Sequence, residues 1–461
     1  MTSPGADTIA AIATPPGVGG IGVVRLSGER ALEIALALAR LRGLRRPRPR
    51  YAHLVQLWAH PDAERPVDEG LLLHMPAPHS YTGEDVVELS CHGGPVVLRL
   101  VLNGLLAAGA RAAHPGEFTQ RAFLNGKLDL AQAEAVADLV AAPTPAALRT
   151  AAEQLAGRLS EGVRAIRRQC LDLLAQLEAE IDFADEDVPP MPPATVTDRI
   201  AQVADCVATL LAGADRGILQ RYGVRVALVG TPNVGKSSLM NALLTTDRAI
   251  VTDIPGTTRD VLEERFDLDG VPVVLSDTAG FRDTGDTVER LGVERASRAL
   301  ATANVAVLVL DGSRPVSAQD EAAAARVRAV AKPVVVALNK ADLPAAIGDA
   351  EALALVPSGS LCRTVAIRGE VEELRAALAH TIGLHGGGED AITVASVRHQ
   401  EALLQAAHAI GASQRAVADN LPVDFVTIGL HGAVRALGQI TGESATEDLL
   451  ATIFAKFCIG K

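Results

Sequence analysis

The chain has 461 residues, a formal net charge of −12, 48% hydrophobic residues and only 3% aromatic ones. That length exceeds one ordinary core, so about two to four domains are expected, with interiors of Ala, Leu and Val. The acidic balance argues against a general nucleic-acid binder. The scattered cysteines Cys91, Cys170, Cys206, Cys362 and Cys458 argue against a zinc site or disulfide framework.

Residues 1–120 alternate short β-rich runs (8–13, 20–26, 86–90) with helical ones (29–41, 96–108) and read as a small α+β domain. Residues 17–22, G-V-G-G-I-G, match the glycine pattern of a dinucleotide site. A strand rather than a helix follows, which speaks against that role. Arg40, Arg42, Arg45, Arg46, Arg48 and Arg50 fall within eleven residues. A solvated, proline-broken loop is the favoured reading, and phosphate contact the alternative. Cys91 and His92 are adjacent on an expected strand, so they point to opposite faces and pack rather than react together.

From residue 128 the pattern becomes helical: 128–142, 145–183 and 194–220 are Ala/Leu/Glu/Arg segments with apolar residues at helical spacing. The proline-rich stretch 182–193 interrupts them. Residues 222–385 alternate strand and helix as a doubly wound, mostly parallel sheet does, and the glycines at 386–388 end that region. The last 73 residues return to helical periodicity. The economical reading is a discontinuous helical domain (121–221 and 386–461) with residues 222–385 inserted between its halves.

The chemistry lies in the insert. Residues 230–237 read G-T-P-N-V-G-K-S between an apolar β-branched run and a helix. This is a phosphate-cradling P-loop, with Lys236 directed to the β/γ-phosphates and the Ser237 hydroxyl to Mg²⁺. Asp277-Thr278-Ala279-Gly280 follows a second strand and offers a Mg²⁺-shell carboxylate and a γ-phosphate N–H. Asn339-Lys340-Ala341-Asp342 follows a third, where the Asp342 carboxylate can accept from N1–H and the exocyclic amine of guanine. Adenine would leave that carboxylate unpaired, so the expected nucleotide is GTP. The region 252–260 reads as a switch, with Thr258 as a second Mg²⁺ hydroxyl. Phe281 stands where many GTPases carry a water-positioning glutamine, so hydrolysis needs another device. The stretch 365–367, Val-Ala-Ile, replaces the usual S-A-[KR]; the Ala366 N–H remains available in principle to guanine O6.

Only six lysines occur: Lys127, Lys236, Lys332, Lys340, Lys456 and Lys461. Arginine serves elsewhere, so Lys127 and Lys461 are candidates for work that needs a compact ammonium. No apolar run approaches a membrane span and the N-terminus has no secretion-signal pattern, so a cytoplasmic protein without a membrane partner is expected.

Together these segments resemble the MnmE (TrmE) family of tRNA-modification GTPases. The carriers are A-T-P-P-G-V-G-G-I-G-V-V-R-L-S-G, S-Y-T-G-E-D-V-V-E-L-S-C-H-G-G, P-G-E-F-T-Q-R-A-F-L-N-G-K-L-D-L-A-Q-A-E-A, D-I-P-G-T-T-R-D, the nucleotide motifs and the terminal F-C-I-G-K. The resemblance implies a multidomain α/β plus α fold: an N-terminal folate-binding and dimerising domain, a discontinuous helical domain and an inserted P-loop GTPase domain. It implies a homodimer that acts with a flavin-dependent MnmG (GidA)-type partner on the wobble uridine of certain tRNAs, adding an aminomethyl-type group at C5. A formyl-tetrahydrofolate-type ligand would be associated.

By the same resemblance, Asn233, Val234, Gly235, Ser238, Thr252, Thr257, Thr258 and Ala366 join the motif residues around GTP. Asn233 with Thr252, Ile254 and Thr257 would hold K⁺. Glu289 would orient the attacking water. Arg25, Glu88, Lys127 and Lys461 fall in the folate motifs, and Cys458 is grouped with Glu289 and Lys236 as a catalytic residue. The alternative from the GTPase motifs alone is a regulatory GTPase of ribosome assembly or stress response without one-carbon chemistry.

Overall fold

The computed structural model describes residues 7–182, 191–246, 263–277, 299–384 and 392–461. They form two compact units: the first takes in Met1–Val140, Ala152–Ala204 and Gln405–Lys461, the second Ala141–Ala151 and Asp205–Leu404.

The first unit contains seven strands: β1 (Ile9–Ile12), β2 (Gly19–Ser27), β3 (Ala39–Leu41), β4 (His53–Leu57), β5 (Asp68–Met75), β6 (Val86–Gly93) and β7 (Arg111–Ala112). Their order is β3-β4-β5-β6-β2-β1-β7, antiparallel except for the parallel β1–β7 pair. Helices Ala31–Leu38 and Pro95–Ala107 cover the sheet through Ile34, Leu38, Val101 and Leu105, which meet Val24, Leu26, Leu57, Leu72 and Leu89. The expected helix over 29–41 therefore ends early. Ala39–Leu41 pairs with β4 instead, too short a strand for its alternation to show in sequence.

The helical part of this unit includes Arg158–Asp182, which buries Leu159, Val163, Ile166, Cys170, Leu173, Leu174 and Leu177 on one stripe. That stripe packs against helix Val423–Thr441, which buries Val426, Leu430, Ala433, Leu437 and Ile440. The expected continuous helix over 145–183 is broken, because Gly157 adopts φ +92°, a left-handed conformation that glycine tolerates and that ends a helix. The C-terminal helix Glu447–Phe454 and the residues after it bury Ile453, Phe454 and Phe457 against Leu130 and Ala133.

The second unit holds β8 (Val224–Val229), β9 (Glu263–Leu268), β10 (Val271–Asp277), β11 (Val305–Asp311), β12 (Val334–Asn339) and β13 (Ser360–Thr364) in the order β13-β12-β11-β8-β10-β9. All pairs are parallel except β9–β10. Every residue of β11 and β12 is buried, as expected when helices cover both faces. Leu239, Leu243, Leu374 and Leu378 lie in one core layer, and Ala323, Ala324, Val327 and Ala352 in the other. The β9–β10 hairpin turns through Asp269 and Gly270, both at positive φ. The result is a multidomain α/β plus α architecture, with the C-terminal ends of β8, β10 and β12 carrying the nucleotide motifs.

Candidate functional site

β8 is buried along its last four residues and delivers the chain into the P-loop, after which helix Lys236–Thr246 begins. Asn233 and Gly235 take φ +63° and +99°. Left-handed residues of this kind curl successive N–H groups into an anion-binding concavity at a helix N-terminus. Glycine is required at 235, because a Cβ there would stand 2.2 Å from Asn339 Nδ2. Lys236 is 8% exposed, and its ammonium donates to Gly230 O at 2.9 Å and Thr231 O at 2.8 Å. Val234 is fully buried, Ser238 is half-buried, and Asn233 and Ser237 face solvent.

Asn339, at the end of β12, ties this loop to the next. Its Nδ2 donates to Val234 O at 2.8 Å, while its Oδ1 accepts from Ala366 N at 3.1 Å and Thr364 Oγ1 at 3.2 Å. One amide thus fixes the P-loop against the 364–366 turn. Lys340 sits at φ +62° and bonds Asp311 at 2.6 Å. Burial alone would raise the Asp311 carboxyl, but bonds from Lys340 and Ser313 hold it below the usual carboxylate range. Two details differ from the sequence expectation. Asp342 is paired, 3.3 Å from the Arg368 guanidinium, and the Ala366 N–H is engaged by Asn339. Ile367 projects into solvent at 79% exposure.

A polar cluster missed in the sequence braces the P-loop from behind. Thr231 donates to Asp320 at 2.9 Å and accepts from Arg314 at 2.8 Å. Asp320 also closes a capping box with Ser317 at the start of helix Ala318–Ala329. Burial would raise the Asp320 carboxyl; the Ser317, Thr231 and Arg314 contacts lower it overall. The spacing S-A-Q-D was a readable capping signal, but its link to Thr231, 89 residues away, was not.

Of the remaining nucleotide candidates, Asp277 ends β10 in register with Leu228 of β8. Its side chain lies outside the described residues, as do Thr252, Ile254, Thr257, Thr258, Thr278, Ala279, Gly280, Phe281 and Glu289.

In the first unit, register places Arg25 of β2 opposite Glu88 of β6, and the two pair at 2.8 Å. The Arg25 guanidinium lies 5.6 Å from the Tyr81 ring and 5.7 Å from the Phe118 ring, and donates to Gly460 O at 3.4 Å. The tail is thus docked beside β1, with Gly460 against the Ile12 carbonyl and Cys458 O accepting from Gly116 N at 3.4 Å. Cys458 is exposed and Lys461 half-buried.

Lys127 lies at the other end of the segment 78–84. Its ammonium donates to Pro78 O at 3.3 Å, while Asn125 Nδ2 donates to Thr82 O at 2.7 Å. Glu84 anchors that segment by accepting from Ser27 and from the buried Arg121. Arg25, Glu88 and the tail are therefore brought together, and Lys127 reaches them through one shared loop. Cys91 and His92 diverge as expected. Cys91 is buried with its thiol pushed up to about 12 by burial, while the exposed His92 bonds Asp68.

Residues 130–458 match the family described as MnmE helical domain, and residues 8–127 match GTP-binding protein TrmE N-terminus. The chain belongs to the MnmE family of tRNA modification GTPases. It is 50% identical to the tRNA modification GTPase MnmE of Chloroflexus aurantiacus, covering 99% of this chain and 100% of that protein. The relative of that name from Synechococcus sp. (strain JA-3-3Ab) is 48% identical over 100% of both chains. The one from Lactiplantibacillus plantarum is 43% identical over 99% of this chain and 98% of its own. No helix among the described residues is long and apolar enough to cross a membrane.

Proposed function

We propose that the chain hydrolyses GTP at the 230–237 loop and, with a flavin-dependent MnmG (GidA)-type partner, installs an aminomethyl-type group at C5 of the wobble uridine of certain tRNAs. Residues 1–120 serve as the folate-binding and dimerisation domain of a homodimer. Residues 121–221 and 386–461 form a helical domain, and residues 222–385 the G domain.

The observation that carries this reading is the docked tail. Gly460 meets Arg25 beside Glu88, from opposite ends of the chain, and a GTP switch alone has no use for such a site.

The P-loop fits a nucleotide: its left-handed corner residues, the helix start and the held Lys236 ammonium form a cradle, and a Cβ at Gly235 would push away the Asn339 amide that ties the loop in place. Guanine is read by Asp342 once Arg368 gives way, with Asn339, Lys340 and Ala366 framing the base. Mg²⁺ would be held by Ser237 and Thr258. The exposed Asn233 amide, at the loop's left-handed corner, is an oxygen ligand of the type hard cations take, and K⁺ there would be shared with Thr252, Ile254 and Thr257. K⁺ supplies positive charge where other GTPases insert an arginine. Glu289 orients water.

In the first unit, Arg25 near the Tyr81 and Phe118 rings, paired Glu88, Lys127 and Lys461 offer the cations, carboxylate and aromatic faces that a folate's glutamate and pterin parts require. A formyl-tetrahydrofolate-type ligand would supply the one-carbon unit there. Nucleoside analysis of tRNA from a strain lacking the protein should show wobble uridines without the C5 aminomethyl-type group; unchanged uridines would contradict the reading. Replacing K⁺ by Na⁺ should slow GTP turnover, and equal rates would remove Asn233 from its role.

A further inference from the structure

The chain is acidic overall, yet residues 40–65 hold seven arginines against two carboxylates, Asp62 and Glu64. The structure shows where that charge goes. Arg42 pairs with Glu69 of β5, and Arg40 lies over the Trp58 ring at 4.2 Å while donating to Pro61 O. Arg45, Arg46, Arg48 and Arg50 are exposed, and among the described residues no carboxylate forms an ion pair with any of them. A basic loop that only needed solubility would not concentrate unneutralised charge in a protein of the opposite sign.

The loop is also held in shape. Arg48 N donates to His53 Nε2 at 2.8 Å, Arg50 N to His74 O at 2.7 Å, and Pro47 is buried. Tyr51, 59% exposed, stands beside these cations with its ring tilted on His53 at 4.9 Å. Most telling is the loop's far end. Arg50 Nη2 donates to His79 O at 2.7 Å, and Lys127 donates to the adjacent carbonyl, Pro78 O. The arginine run therefore leads to the same turn as Lys127.

We infer that the loop 42–52 is a tRNA-binding surface. Arg45, Arg46 and Arg48 contact backbone phosphates, Tyr51 stacks on an unpaired base, and the RNA is laid across the 76–79 turn toward Lys127. Phosphate contact explains the clustered charge, and an exposed ring beside it suits single-stranded loop nucleotides. RNA is favoured over an anionic lipid surface because the loop offers an aromatic face and only one large exposed aliphatic side chain, Leu44. The inference rests on the proposed role in tRNA modification and adds the surface that receives the substrate.

The test is binding of unmodified tRNA transcripts by the full-length protein across a salt series. The variants are Arg45→Ala/Arg46→Ala/Arg48→Ala, the same triple to Lys, and Tyr51→Ala, each checked for unchanged thermal unfolding. The alanine triple should weaken binding about tenfold or more and reduce the salt slope by about 0.7–0.9 per lost phosphate contact. The lysine triple should keep most of the affinity, since a point charge suffices for phosphate. Tyr51→Ala should weaken binding without changing the slope. Unchanged affinity and slope in the alanine triple, with tRNA still bound, would overturn the surface and leave the proposed function standing. The surface is equally overturned if the wild-type protein ignores tRNA but binds phosphatidylserine vesicles; the modification reading is then judged separately by the nucleoside analysis.

Discussion

Lys236 and Arg25 are both cations fixed by neighbours, but the neighbours come from different distances along the chain. Lys236 is held by carbonyls five and six residues earlier, within one turn of backbone. Arg25 is held by Glu88, 63 residues on, and by Gly460, 435 residues on. The first arrangement is a local motif whose ammonium is held within the loop, while Asn339 and Asp320 brace that loop from outside. The second exists only after the sheet has formed and the C-terminal helix has docked, so its integrity depends on packing far from the charge.

That contrast can be broken from the packing side first. Phe457 is buried beside Phe454 and against Gly116, and it holds the tail in place. Phe457→Ala should cost about 3 kcal/mol by the usual scale for large-to-small core changes. Thermal unfolding and faster proteolysis after residue 454 would show it; an unmoved midpoint with a protected tail would mean Arg25 and Glu88 hold the tail alone.

On the nucleotide side, Asn339→Ala strips partners from Val234 O and the buried Ala366 N–H together. Unpaired buried groups cost about 1–3 kcal/mol each, so GTP affinity should fall roughly ten- to hundredfold, measured by titration with a fluorescent guanine nucleotide. A smaller loss would show that the two loops keep their places without this amide.

Asp320 provides a gentler probe. Its folded-state pKa is lowered from 3.8, so its contribution is complete above that value and is lost as pH falls through the lowered one. Asp320→Asn should cost about 1–2 kcal/mol at neutral pH and flatten the acid limb of a stability–pH curve, read by denaturant unfolding. Parallel curves for wild type and variant would contradict the bracing role of Thr231 and Asp320.

The smallest effect belongs to Arg368, which is largely exposed. Surface pairs contribute about 0–1 kcal/mol, so Arg368→Ala should tighten GTP binding by no more than a few-fold as Asp342 is released. Weaker binding would show that Arg368 assists the base rather than competing with it.

The same contrast explains what the sequence disclosed. The P-loop, N-K-A-D and the doubly wound order are short-range patterns with fixed periods, and they were legible down to Lys236 and Asn339. Family likeness put Arg25 and Glu88 in the same motifs, but their pairing and the link to Gly460 needed a folded sheet. The Thr231–Asp320–Arg314 brace was hidden for a related reason: ordinary surface residue types meet only through β11 and its following helix. The strand Ala39–Leu41 was lost because three residues carry too little periodicity. The Arg40–Arg50 run was visible as charge, yet which arginines lack a carboxylate partner depended on where Glu69 and Trp58 fold.

GTP hydrolysis at Lys236 and a substrate site containing Lys127 are proposed to serve one modification reaction. The most direct measurement is the wobble-uridine content of tRNA from strains whose sole copy of the protein carries Lys236→Ala or Lys127→Ala, beside a wild-type control. Both variants should accumulate uridine without the C5 aminomethyl-type group while remaining folded and expressed at wild-type levels. Fully modified tRNA in either strain would contradict the claim.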